Sequence, residues 1–185
     1  MEYKIVTPAS TLAVSVADMK THLRETSSDL DGLIETYIEA ATKQFEQRTS
    51  LALMPQTWRL TLDDTEVVEK VEIYKYPIIG FSSITYYDSD NVSQSLTSSA
   101  DDYISYIDGR PGSLIFDDPP TCYERDDAMT IQFVAGFSTV PDDILLAIKM
   151  MVWRIYNHPD DPVSEKFSYV DKIVNDYRAW TFENR

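Results

Sequence analysis

The 185-residue sequence predicts an α+β protein: a small helical bundle of two N-terminal and two C-terminal helices, with an inserted antiparallel β domain. Three observations carry that prediction. Apolar residues recur at spacings of three and four before residue 50, alternate with polar ones in short runs between 57 and 137, and return to helical spacing from residue 141. The layout that follows is N-terminal helices over 1–50, an acidic β domain over 51–140, and C-terminal helices that complete the bundle over 141–185.

Residues 1–14 read as extended or loose, with Pro8 breaking their start. Ser15 is placed to cap a short helix from Val16 to Arg24, with Val16, Met19 and Leu23 on one side and Asp18 supplying a shortened capping box. The strongest local signal is the stretch Asp29 to Arg48. Leu30, Leu33, Ile34, Tyr37, Ile38, Ala41 and Phe45 form one stripe, while Asp31, Glu35, Glu39, Lys43 and Glu46 suit a solvated face. Ser27, Ser28 and Asp29 offer its N-cap. A helix of this length cannot bury its stripe alone, so it needs partners.

After Arg48 the period changes. Trp58, Leu60 and Leu62 alternate with Thr57, Arg59 and Thr61, as in a half-buried strand. Val71 and Ile73 continue as a second strand, ended by Pro77 and Gly80, and Ile84 with Tyr86 mark a third. Asp88, Ser89, Asp90 and Asn91 read as a turn, from which Val92 to Leu96 pair back as a hairpin. Tyr103 to Ile107 and Ser113 to Phe116 flank a second turn, and Ala128 to Phe137 is the last strand. Short strands at this spacing make a compact antiparallel sheet or small barrel.

Helical period returns at Pro141, read as the first helical position, with Asp142 and Asp143 favouring the positive end of the helix dipole. Ile144, Ile148, Met151, Val152 and Ile155 form its stripe, and the turn from His158 to Pro162 ends it. A last helix is expected from about Ser168 to Trp180, with Val170, Ile173, Val174 and Tyr177 in register. The bundle core is therefore expected from Leu30, Leu33, Ile34, Tyr37, Ile38 and Phe45 packing on Ile144, Ile148, Met151 and Val152.

Composition bounds the function. Hydrophobic residues at 43% and aromatics at 12% exclude a disordered chain. The single cysteine, Cys122, excludes an internal disulfide framework and a Cys-rich zinc site. No run reaches the roughly 18 apolar residues of a membrane span, and the opening stretch lacks the apolar core of a signal peptide. The chain is expected to stay in the cell that makes it, with no membrane partner. Of the net charge of −15, residues 49–140 hold −10, from fifteen acids and five bases. No basic patch that would neutralise phosphates is visible, which argues against a duplex-binding protein.

The motifs yield no catalytic constellation and no cofactor. Asp pairs at 63–64, 101–102, 117–118, 126–127, 142–143 and 160–161 suit turns and helix starts. A carboxylate pair across a cleft would be needed for an acidic-cleft hydrolase, and carboxylates spaced like phosphates for an acidic DNA mimic; both remain as alternatives. The turn Asp88, Ser89, Asp90 begins like a calcium loop, but Val92, Ser93 and Ser99 stand where a ligand, a glycine and a glutamate belong. His22 and His158 have no second ligand at zinc spacing, and Cys122 has no base near it in sequence. Asn91, Val92 and Ser93 match a glycosylation acceptor that means little without a secretory route. Aromatic residues beyond those the core needs, Trp180 and Phe182 above all, suit an interface at the C-terminal end.

The order of these features resembles the head–tail connector (adaptor) family of long-tailed phages, prophages and gene transfer agents, over nearly the whole chain. Val16 to Arg24 is similar to the family's opening helix, Leu-x-x-x-Lys-x-x-Leu-Arg, and Leu33 to Thr49 to its second helix. Gln56, Thr57 and Trp58 match its first strand, and Tyr76–Pro77 with Ile84, Thr85 and Tyr86 its next pair. Asp102–Tyr103 and Pro111, Gly112 and Leu114 match a later turn. Phe133 to Phe137 and Pro141, Ile144, Ala147 and Ile148 match the strand-to-helix junction. Ser50 departs from the pattern, where relatives place a glycine after the second helix.

The resemblance implies a non-enzymatic virion protein. It would form a ring, usually of twelve copies, beneath the portal in the neck, after assembly in the host cytoplasm. Its expected partners are further copies of itself, the portal protein, a stopper or tail-completion protein, and genomic DNA passing without sequence-specific binding. Tyr169, Tyr177, Arg178, Trp180, Phe182 and Arg185 are the expected portal-docking residues, in a tail spanning Tyr169–Arg185.

Overall fold

The computed structural model describes residues 1–97, 102–158 and 168–178. The chain divides into a β unit, Met1–Ser10 with Pro55–Phe137, and a helical unit, Thr11–Met54 with Ser138–Arg185. The division differs from the expected layout at the N-terminus. Residues 2–7 do not lie with the helices but form strand β1 (Glu2–Thr7), antiparallel to β2 (Gln56–Leu62). Local sequence hides this strand because nearly all of its residues are exposed, so it lacks an alternating apolar face.

In the β unit, β1 and β2 are followed by a single 3₁₀ turn (Asp64–Glu66), β3 (Lys70–Ile73), β4 (Ile78–Tyr87), β5 (Ser93–Leu96), β6 (Ile104–Tyr106), β7 (Gly112–Ile115) and β8 (Met129–Ala135). Five strands form one sheet in the order β1-β2-β8-β4-β5, and three form another in the order β3-β7-β6. The predicted alternation of β2 fixes its register on β8. Trp58 faces Phe133, Leu60 faces Ile131 and Leu62 faces Met129, which puts all six side chains on the buried face.

Strand β4 runs further than the sequence suggests. Gly80 does not end a strand but sits beside a register shift within it, where β4 bends along β8. Aromatic rings tie the two sheets. Phe81 of β4 lies 6.2 Å from Phe133 and 6.5 Å from Tyr103, whose ring is 6.4 Å from Phe116. Backbones approach closely at Gly112, where a Cβ would stand 3.2 Å from the Tyr106 carbonyl oxygen and 2.4 Å from the Ile78 side chain.

The helical unit contains α1 (Val16–Leu23), α2 (Asp31–Thr49), α3 (Asp142–Asn157) and α4 (Ser168–Tyr177). Ser15 caps α1 as expected, its Oγ accepting the Asp18 N–H at 3.1 Å. Helix α2 starts later than its cap signals suggest. Leu30, whose side chain has no acceptor, occupies the N-cap, while the Glu25 carboxylate and the Ser27 hydroxyl accept backbone N–H groups in the preceding loop. Ser50 takes the left-handed conformation at φ 62° that a glycine would otherwise supply, and its N–H donates to the Glu46 carbonyl. Pro141 is the N-cap of α3, one position before its expected place.

The core of this unit lies between α2 and α3, with α1 and α4 packed on both. Ile34, Ile38, Ala41 and Phe45 meet Ile144, Ala147, Ile148 and Val152, all fully buried. Met151 is also buried, while Leu30 and Tyr37 are half-buried at the margin. Leu33 corrects the expected core, since it is 44% exposed. It lies a quarter-turn from the line of Ile34, Ile38 and Phe45, so the stripe is narrower than the sequence pattern implies. Val170, Ile173 and Val174 bury the inner side of α4.

Candidate assembly surfaces

Of the sequence-adjacent Asp pairs, Asp63, Asp102, Asp127 and Asp143 each hold a hydrogen bond or ion pair within the fold, while Asp101, Asp160 and Asp161 lie outside the described residues. Asp63 caps the 3₁₀ turn, accepting from Thr65 Oγ1 at 2.7 Å and from the Glu66 N–H at 2.9 Å, while Glu66 accepts the Asp63 N–H. The Thr65 hydroxyl is the largest influence holding the Asp63 carboxyl below its usual range. The same Glu66 pairs with the N-terminal ammonium.

Asp88 folds the β4–β5 turn, accepting from the Asp90 and Val92 N–H groups and from Gln94 Nε2 at 2.7 Å. Its oxygens therefore face donors, the opposite of a cation loop. Arg125 lies over the Tyr87 ring, 3.7 Å from its centroid, and donates to Asp127 and to the Asn91 side chain. Asn91, the glycosylation-like position, is thus engaged in the same turn.

In the helical unit, carboxylates bridge elements distant in sequence. Glu25 accepts the Thr26 and Ser27 N–H groups at 2.8 Å each and the Tyr156 hydroxyl at 3.0 Å, which ties the α1–α2 loop to α3. These donors, the Ser27 N–H first, lower its pKa, and the same bond raises that of Tyr156. Lys20 pairs with Asp31 at 2.6 Å, and Arg48 of α2 pairs with Asp171 of α4. Asp143 accepts from Tyr177 at 3.1 Å.

His22 and His158 are exposed and belong to no group of potential ligands; among the described residues no His, Cys, Asp and Glu side chains form a set of three able to hold a metal ion. Burial raises the pKa of the Cys122 thiol, which suits packing more than reactivity. No helix among the described residues is long and apolar enough to cross a membrane.

The expected docking residues fall into three groups. Tyr169 stands at the surface of α4, and Arg178 is exposed just beyond it. Tyr177 is turned inward to Asp143, which gives it a place in the bundle. Trp180, Phe182 and Arg185 lie outside the described residues. A surface that sequence reasoning missed is the outer side of α3, where Leu146 and Trp153 are 42% and 43% exposed. Its signal was available: Leu146, Met150 and Trp153 repeat at helical spacing opposite the buried stripe.

The described residues thus form four helices and two antiparallel sheets, with carboxylates such as Asp63, Asp88 and Glu25 used in a cap, a turn and a bridge between elements. Residues 13–109, just over half of the chain, match the phage gp6-like head-tail connector proteins, and the chain belongs to that family. No curated protein matches it.

Among solved structures, a chain from the neck of an empty gene transfer agent particle, computed with C6 symmetry, is 20% identical with a TM-score of 0.85. A chain from the virion of the native particle gives 20% and 0.82, and one from the native neck computed with C12 symmetry gives 20% and 0.79. Each alignment covers 100% of this chain and 99% of the other. At this identity the likeness establishes the fold, and it does so along the entire chain.

Proposed function

We propose that this chain is a structural component of the virion neck: a connector that forms a ring, of twelve copies, beneath the portal, extends the DNA channel, and offers a docking surface to a stopper or tail-completion protein. The observation that carries the reading is family membership joined to a fold shared from end to end with neck proteins. The C6 and C12 symmetries of those necks support a ring. No catalysis is assigned to the chain, a reading supported by its membership of a connector family and by the use of Asp63, Asp88 and Glu25 as a cap, a turn brace and a bridge between elements. Assembly takes place in the host cytoplasm.

The β unit, with sixteen acids and six bases and so a charge of −10, suits a wall past which duplex DNA slides without adhering. Phosphates are repelled at short range, and the repulsion is screened beyond about 8 Å at physiological salt. The C-terminal segment, with Tyr169, Arg178, Trp180, Phe182 and Arg185 as contacts, is assigned to the portal. Cutting the chain after Pro162 would remove α4 and with it the buried Val170 and Val174, so a cut after Arg178 is the cleaner test. The full chain mixed with the portal protein of its own genome is expected to assemble into a ring visible by native mass spectrometry, and the shortened chain is expected to stay folded and unattached. A full chain that ignores that portal overturns the reading, and a shortened chain that attaches normally overturns the assignment of the tail.

A further inference from the structure

We propose that the groove between the end of α1 and the outer side of α3 receives strand β6 of a second copy of this chain. The inference rests on the multi-copy reading above and goes beyond it by naming the two contact surfaces. A helix with apolar residues on both sides is ordinarily covered on both. Helix α3 buries Ile144, Ile148 and Val152 on one side, yet leaves Leu146 and Trp153 over two-fifths exposed on the other. Beside them His22, Leu23, Arg24, Met150 and Trp153 line an open groove of about 470 Å³.

Among the described residues no acid lines that groove, in a protein of net charge −15. An apolar floor with a guanidinium at its rim selects an acidic partner bearing an apolar anchor, and tryptophan and arginine are the residues most often dominant in such contacts. The chain itself presents that partner. On β6, Ile104 and Tyr106 share a face and are 54% and 52% exposed, and Asp102 and Asp108 flank the strand. Among the described residues, strand β6 is also an edge of its sheet, with one side unpaired. Groove and strand are different surfaces, so their contact is heterologous, the kind that closes into a ring by rotation.

The test uses the full chain incorporated into assembled particles, with Cys122→Ser as background. His22→Cys beside the groove and Ser105→Cys on β6, which keep the Trp153 and Tyr106 anchors, are placed together in one chain and treated with a short bis-maleimide, and are expected to give a ladder of covalent dimers, trimers and larger species. Either substitution alone is expected to give none. Trp153→Asp is expected to lower incorporation at least tenfold with an unchanged circular dichroism spectrum, and loss caused by Arg24→Asp is expected to be regained with Asp108→Arg. Particles that hold several wild-type copies but give no ladder, with Trp153→Asp incorporated normally, overturn the groove assignment and leave the ring reading intact. Particles that hold a single copy overturn both.

Discussion

The helical unit and the β unit are fastened by different kinds of polar contact. In the β unit the ladder does the work: β2, β8 and β4 exchange backbone hydrogen bonds along their lengths, and acids such as Asp63 and Asp88 fold single turns a few residues long. In the helical unit each helix satisfies its own backbone, so nothing in the main chain sets one helix against another. That task falls to side chains, through the shared core and through Glu25–Tyr156, Arg48–Asp171 and Tyr177–Asp143, which span 34 to 131 residues of sequence. The same residue type, a surface carboxylate, thus serves mainly as local punctuation in the β unit, where Glu66 at the N-terminal ammonium is an exception, and supplies long-range fastening in the helical unit.

The largest expected effect comes from charging each core. Ile148→Asp and Ile131→Asp each bury an unpaired carboxylate and are expected to cost more than about 4 kcal/mol. Hydrogen exchange should lose protection first in α2 and α3 for the former, and first in β2, β4 and β8 for the latter. Uniform loss across the chain in both variants would erase the distinction between units. Leu33→Asp is the control: at its exposed position the change should stay within about 0.5 kcal/mol in a denaturant titration.

Gly136 follows β8 at φ 147°, buried, with its N–H donating to the Pro77 carbonyl. Few L-residues adopt this backbone, so Gly136→Ala should lower stability by about 1–3 kcal/mol with an unchanged denaturant slope. The helical unit holds the reverse case. Ser50 keeps a left-handed conformation at some cost, and Ser50→Gly should raise the thermal midpoint by an amount worth up to about 1 kcal/mol. Equal and opposite signs at these two sites would separate backbone strain from side-chain packing; a destabilised Ser50→Gly would mean the serine side chain matters more than its φ.

The smallest effect concerns pH. Glu25 and Asp88 both have lowered pKa values, Glu25 first through the Ser27 N–H and then Tyr156, and Asp88 first through Gln94 and then the Val92 N–H. Each contributes stability that is complete above the ordinary carboxylate range and is lost as pH falls through the lowered folded-state value. Tyr156→Phe should therefore flatten the acid limb of helical-unit stability, and Gln94→Ala that of the β4–β5 hairpin. Measuring both limbs by thermal melts between neutral and acidic pH checks this; an acid limb unchanged in Tyr156→Phe would remove Glu25 from the fastening set.

Much of the fold was legible because its signals are local. The alternation of Trp58, Leu60 and Leu62, the Ser15 cap, the turn at Asp88, and the stripe of Ile34, Ile38 and Phe45 each depend on residues within a turn or two of one another. The assembly surfaces were less legible. Exposed Leu33 and buried Ile34 look alike in a sequence pattern, and so do the two sides of α3, because hydrophobicity says that a residue seeks cover without saying whether this chain supplies it. Strand β1 escaped notice for the complementary reason. An edge strand is held by its neighbour's backbone, with the Tyr3 hydroxyl accepting the Tyr74 N–H as a further tie, and neither partner is near it in sequence.

The sequence by itself therefore determined the α+β class, the succession of helical and alternating segments, the turns and most caps, and through the order of its motifs the connector family. Tertiary structure alone decided that the N-terminus joins the sheet, that the described strands divide into sheets of five and three, that Leu33 stays outside the core, and that Trp153 stays 43% exposed. Periodicity is a property of neighbours along the chain, whereas edge pairing and burial depend on which distant element arrives to cover a face.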